Sequence, residues 1–486
     1  MNSEIQNLEP RTLWKYFSEI NAIPRPSKKE EKISEFMLSF GKRLGLVSEM
    51  DEVGNVLIKK SATPGMESKP TIILQSHLDM VHQKNNETNF DFENEGIKMY
   101  INDGWVRADG TTLGADNGIG VASIMAILAS DEISHPSIEA LFTIDEETGM
   151  TGAKSIKEGW LKGKILLNLD TEEDDEIDIG CAGGLDVTAT RTYHEAAAQD
   201  GVAIAISVKG LQGGHSGIDI DKGRANSNKV LIRLVYKVLK EENTELVEFE
   251  GGSLRNAIPR ESRATLWVPR MSKDTCLETL SSLIKTIQSE YQIHDPGMEV
   301  KVESSDFAGG MVCDRKDAIQ LINAVYAAHN GVFRMSPDVE GLVEASNNVA
   351  KVTIKGGNAS VLCLTRSSVE STKWWVAESL HAVFALAGFG VQFSGDYPGW
   401  APNRDSQILH SLVESYKTLF KSDPKVVACH AGLECGIIGS KVPGLDMISF
   451  GPTIKGAHSP DEKVNITSVE KFWTLLLYVL KNIDSK

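Results

Sequence analysis

The stretch TIILQSHLDM, Thr71–Met80, decides how this chain is read. Thr71–Leu74 is a short run of β-forming residues. It leads into His77 and Asp79 rather than into a turn signal. Open α/β sheets place their ligand sites beyond the carboxyl ends of strands, which is where such a polar pair would stand.

The same arrangement recurs downstream. Gly118–Leu128 is apolar enough for a buried helix. Ile138–Ile144 and Ile165–Leu169 read as strands, followed directly by Asp145–Glu147 and by Asp170. This alternation predicts an α/β fold with a mixed, mostly parallel sheet flanked by helices. Upstream, Leu13, Tyr16, Phe17 and Ile20 have helical spacing until Pro24 and Pro26 break it. Ser27 and Glu30 resemble a capping box opening a helix through Ile33, Phe36 and Phe40.

The pattern changes near Gly183–Gly184. Val202–Val208 alternates like a half-exposed strand. A helix (Asn226–Leu239), an extended stretch (Arg263–Val268), a helix (Leu277–Tyr291) and a strand (Met298–Val302) follow. A similar order returns with a helix (Ala318–Ala328), strands near Val349–Ile354 and Ser360–Leu364, a helix (Lys373–Ala387) and a strand (Gly390–Phe393). Ser394–Asn403, with two prolines and two glycines, reads as a linker. The α/β character then resumes from Ile408. The expected organisation is a discontinuous domain, residues 1–184 and 398–486, interrupted by an α+β domain, residues 185–397, of two related halves.

At 486 residues the chain exceeds what one hydrophobic core supports. A net charge of −17 argues against nucleic acid and anionic membrane as partners. No apolar run approaches the ~20 residues that span a bilayer. The N-terminus lacks a basic flank with an apolar stretch, so no signal peptide is read. Six scattered cysteines without a CxxC pair read as buried thiols in a reducing, cytoplasmic setting.

Five places hold candidate metal ligands: His77 with Asp79 in QSHLDMV, Asp116 in TTLGADNGIG, Glu146 and Glu147 in TIDEETGMTG, Asp170 in LLNLDTEE, and His458 in GPTIKGAHSPDE. Each has a plainer explanation when taken singly. Asp116 can be an N-cap, the paired glutamates a solvated turn, Asp170 the start of an acidic loop through Asp175, and His458 a loop histidine. All but one of them follow or flank predicted strands of one sheet. Two carboxylates about 4 Å apart repel by roughly 4 kcal/mol at an effective dielectric of 20. Several of them sharing one space therefore need cations or raised pKa values. Two divalent ions against three ligand carboxylates leave a Lewis-acidic centre able to hold hydroxide.

HLDMV, DGTTLGADNGIG, the DEETG box, NLDTEE and GAHSPDE resemble the co-catalytic zinc peptidases that include carboxypeptidase G2 and carnosinase, and within them the aminoacyl-histidine dipeptidase branch. The resemblance spans nearly the whole chain, from near residue 24 to 462. It implies a zinc aminopeptidase/carboxypeptidase-like fold with an inserted lid and dimerisation domain. It also implies two divalent ions per subunit, zinc, with manganese or cobalt as substitutes. His77 and Asp170 would hold one ion, Glu147 and His458 the other, and Asp116 would bridge them. Glu146 would be the general base and Asp79 would orient His77. His215 in LQGGHSGIDI would reach a neighbouring subunit's site and support the oxyanion, which implies a homodimer. Asn256 in LRNAIPR and Arg366 in CLTRSS look like residues that grip the substrate, with a surface arginine as the plainer reading of Arg366. Glu434 in HAGLECG is assigned to the substrate's amino end.

The implied activity is hydrolysis of dipeptides, Xaa-His and β-Ala-His among them, by metal-bound hydroxide. A tripeptidase, an N-acyl amino acid deacylase or a carboxypeptidase would share the same centre. A non-catalytic peptide-binding protein is the alternative that the presence of Glu146, Glu147 and both histidines disfavours.

Overall fold

The computed structural model describes residues 4–241 and 243–483. They fall into two compact units. The first holds the chain up to Gly180, Pro402–Ala428 and the residues from Leu433 onward. The second holds Cys181–Ala401 and Cys429–Gly432.

The first unit is built on an eight-stranded sheet. Its order is Val47–Met50, Val56–Lys60, Ile138–Thr143, Ile72–His77, Ile165–Asn168, Asp446–Ser449, Glu176–Cys181, Lys425–Cys429. The four strands from Ile138–Thr143 to Asp446–Ser449 pair in parallel, and antiparallel pairs flank them. The mixed α/β sheet expected from the sequence is present, with its parallel pairing in the centre. Ile72–His77 and Ile138–Thr143 are buried along their whole length, as parallel strands covered on both faces must be. The nearly all-buried helix Ala115–Ala129 packs on Ile72–His77 and on the helix Arg11–Asn21.

Two local expectations are corrected. In Arg11–Asn21 the core face carries Leu13, Trp14, Phe17 and Ile20, while Tyr16 is only half-buried. Ser27 caps no helix. Its hydroxyl donates to Asp79 Oδ2 at 2.8 Å, and the helix starts later, at Glu31. Glu30 instead accepts from the backbone N–H groups of Lys28 and Asp145. The capping pattern was recruited by tertiary partners.

The second unit is a nine-stranded antiparallel sheet with helices Ser227–Glu241, Lys273–Tyr291, Arg315–Ala327 and Glu370–Leu386 sharing one core with it. Strand order resolves it into two βαββαβ halves. Gly201–Lys209, Glu245–Gly251, Ser262–Val268 and Glu299–Phe307 are the first to fourth strands of one half, and they stand in the order 4-1-3-2. Gly183–Thr192, Val343–Lys355, Asn358–Ser367 and Gly390–Tyr397 stand in that order in the other. The halves join where Glu245–Gly251 pairs with Val343–Lys355. The first half is thus an insertion after the opening strand of the second. The stretch expected as a linker is strand up to Tyr397.

After Ile138–Thr143 the chain turns sharply, and Gly152 lies against the backbone it has just left. A Cβ there would stand 2.6 Å from Ile144 N and 2.7 Å from Ile144 O. Gly152→Ala should cost about 1–3 kcal/mol through overpacking against groups that cannot yield. A lowered urea midpoint at unchanged m-value checks it.

Candidate metal centre

The first unit gathers the polar ends of its central strands. His77 is the last residue of Ile72–His77, Asp170 follows Ile165–Asn168, and Glu146 and Glu147 follow Ile138–Thr143. Asp116 lies in the first turn of Ala115–Ala129. His458 is held in the left-handed region, φ 64°, in the loop before Lys463–Asn465.

Two groups of ligand-type atoms result: His77, Asp116 and Asp170, and Asp116, Glu147 and His458. Within each, the atoms lie within 4.8 Å of one another. Asp116 belongs to both, and each of its oxygens serves one. Oδ1 is 3.1 Å from His77 Nε2 and Oδ2 is 3.2 Å from His458 Nε2. His77 Nε2 is also 3.4 Å from Asp170 Oδ1, and His458 Nε2 is 3.0 Å from Glu147 Oε2. Ligand atoms about 2.1 Å from a tetrahedral zinc stand about 3.4 Å apart, so this spacing suits a cation in each group.

The electrostatics favour positive charge here. Burial alone would discharge His77, but Asp170, Asp116 and Asp79 outweigh it and hold its pKa well above the ordinary value. Hydrogen bonds to Asp116 and Glu147 lift His458 to about 11. Around them burial pushes Glu172 and Glu434 up to about 8 and raises Glu146 well above the usual carboxylate range. A field that holds protons this firmly also favours divalent cations in their place. The donors, imidazole nitrogens and carboxylate oxygens, fit zinc or a similar transition metal.

Asp79 organises the centre without belonging to either group. Its Oδ1 is 3.4 Å from His77 Nδ1. Its carboxylate also accepts from Ser27 Oγ and from the backbone N–H groups of Glu146 and Glu147, at 3.0 and 3.2 Å. One side chain therefore sets both the His77 ring and the Glu146–Glu147 loop. Glu434, fully buried, accepts from Gln75 Nε2 and Thr143 Oγ1 with Oε2, each at 2.6 Å. Its Oε1 has no hydrogen-bond partner.

Sequence reasoning passed over several residues that shape this centre. Arg25, buried between two prolines, donates to the carbonyls of Leu78, Asp79 and Gly114. Asn117 donates to Asp170 Oδ1 and Leu169 O. Glu462 accepts from four backbone N–H groups around Asp116. The available signals were slight: an arginine framed by Pro24 and Pro26, and an acid closing the HSPDE run.

The other assigned residues form a cluster within the second unit. Arg366 is buried. It donates to Tyr397 OH at 3.1 Å and to Ser216 Oγ at 3.3 Å, and its Nη2 is 3.4 Å from His215 Nε2. Among the described residues no carboxylate lies within ion-pair distance of it. Burial and Arg366 push His215 down to about 4 and His430 down to about 3, so both rings are neutral. His215 Nδ1 accepts from the N–H groups of Gly217 and Ile218. His430 was not anticipated. Its Nε2 is 2.8 Å from Ser346 Oγ. Asn256 is exposed, and its carbonyl accepts from Ser216 N.

Residues 73–482 match the family model of Peptidase family M20/M25/M40, and the chain belongs to that family. Over all of both chains it is 42% identical to the cytosol non-specific dipeptidase of Escherichia coli (strain K12). The crystal structure of aminoacylhistidine dipeptidase from Vibrio alginolyticus matches with a TM-score of 0.92 at 45% identity, covering 100% of this chain and 99% of that one. A tripeptidase from Staphylococcus aureus, 16% identical with a TM-score of 0.57 over 98% of each chain, shares the fold.

Because Asp79 serves the His77 ring and the Glu146–Glu147 backbone together, Asp79→Asn should weaken zinc binding about 10–100-fold. Titration against a chromophoric chelator measures this, with the melting curve of the metal-free protein as control.

Proposed function

We propose that this protein is a metal-dependent dipeptidase acting on Xaa-His dipeptides, β-Ala-His among them, with His77, Asp116, Glu147, Asp170 and His458 as ligands of two ions, zinc by preference. The observation that carries the reading is Asp116, whose two oxygens face two histidines in two separate ligand groups. Two relatives above 40% identity are named as dipeptidases, one as non-specific and one as aminoacylhistidine-directed.

Bound divalent ions would polarise the scissile carbonyl and acidify an attacking water. Glu146 accepts the proton of that water and returns it to the leaving amine. Asp79 keeps the His77 ring in place while the centre's charge changes. The unpartnered oxygen of Glu434 accepts from the substrate's ammonium. Arg366, a buried guanidinium with no ion-pair partner among the described residues, binds the peptide carboxylate, with Asn256 alongside. His215 supports the developing oxyanion. We assign that contact to a partner subunit in a homodimer joined through the second unit. The cytosolic relative supports work in the cytoplasm. Among the described residues no helix is long and apolar enough to cross a membrane.

Three outcomes are expected. Chelation should abolish hydrolysis of β-Ala-His and other Xaa-His dipeptides, and zinc or manganese should restore it. A panel that adds tripeptides and N-acetylated amino acids separates this reading from its relatives, since preferential cleavage of either would replace it. Glu146→Gln should lower kcat about 10²–10⁴-fold with both ions still bound, and parental turnover would exclude Glu146 as the base. Arg366→Met should raise KM more than it lowers kcat, as the loss of a carboxylate contact does.

A further inference from the structure

Glu462 belongs to neither ligand group, yet its carboxylate is tied into the centre at four points. It is buried. Its Oε2 accepts from Leu113 N at 2.7 Å and Gly114 N at 3.0 Å, and its Oε1 accepts from Ala115 N at 2.8 Å and Asp116 N at 3.3 Å. These N–H groups open the helix Ala115–Ala129, where no preceding helical carbonyl is available to them. A side chain from near the other end of the sequence supplies the missing acceptors.

The same short run is gripped from its carbonyl side. Arg25 Nη2 donates to Gly114 O at 2.5 Å, and Gly114 has φ 69°. A Cβ at Gly114 would meet Arg25 Nη2 at 2.5 Å. Arg25 and Glu462 thus hold opposite faces of one peptide segment and leave Asp116 little freedom to rotate.

Glu462 also closes the turn that carries His458. Ser459 N donates to Gly456 O, and Glu462 N donates to Ser459 O. One carboxylate therefore joins the segment bearing His458 to the segment bearing Asp116. Both residues belong to the group completed by Glu147. The His77–Asp170 pair has separate supports, Asp79 behind His77 and Asn117 beside Asp170.

We propose that Glu462 is a positioning residue for one ion site and not the other. It builds the Asp116–Glu147–His458 group by locking Asp116 Oδ2 within reach of His458 Nε2. The proposal rests on reading the two groups as ion sites. An amide cannot replace the carboxylate, because its single acceptor oxygen serves one pair of N–H groups while its NH₂ faces the other pair.

The test is a zinc titration of metal-free parent, Glu462→Gln and Glu462→Asp against a chromophoric chelator, with melting curves recorded alongside. The parent should take up two ions. Glu462→Gln should keep one at parental affinity and bind the other about 10–100-fold more weakly. Glu462→Asp, which retains the carboxylate, should recover part of that loss, and it carries the test alone if Glu462→Gln does not fold. Two ions at parental affinity in both variants, or equal weakening of both sites, would overturn the proposal. A parent that binds fewer than two ions would instead remove the two-ion reading on which it stands.

Discussion

Carboxylates crowd around Asp116, and the surrounding structure answers to that crowding. Asp170 and Glu147 stand on its two sides, each sharing a histidine with it; Glu172 and Glu462 lie within its electrostatic reach, and Glu146 and Glu434 within that of Asp170. Like charges at this density are tolerable only with compensating cations, protons or dense hydrogen bonding. The histidines stay charged against the cost of burial and the outer acids are pushed toward neutrality. Cations at the two ligand groups would relieve the same strain.

The centre is rigid because its supports are buried and polar. Asp79, Arg25 and Glu462 each bind backbone groups from segments far apart in sequence, so the ligand loops are fixed to one another and not only to their own strands. Beneath them a hydrogen-bonded row crosses the central strands, from Glu434 through Gln75 and Asn168 to Ser449. Buried polar rows of this kind are stable only when nearly every member is satisfied. That makes the free oxygen of Glu434 conspicuous.

The second unit carries the opposite electrostatic character. There a buried guanidinium has no carboxylate within ion-pair distance among the described residues, beside two imidazoles held neutral. Such a cluster suits an anion brought from outside, whereas the first unit suits cations.

Much of the architecture was legible because burial imposes periodicity. The parallel strands, Ala115–Ala129 and all four helices of the second unit announce themselves as apolar runs or stripes. The edge strands Val47–Met50 and Glu195–Ala198, and the hairpin Met99–Ala108, were missed because exposed or mixed strands carry little hydrophobic signal. Ser27 misled because a capping pattern and a long-range hydrogen bond use the same hydroxyl. The ligand types were also legible, since acidic residues stand within a few positions of the ends of three central strands. Local sequence, through apolar pattern and residue chemistry, therefore determined the α/β plan and the candidate donors. Tertiary structure alone decided that Asp116 faces two histidines, that Arg25 and Glu462 brace it, and that His430 joins Arg366. Those contacts link residues from 39 to 349 positions apart, and no local pattern encodes a distance across the fold.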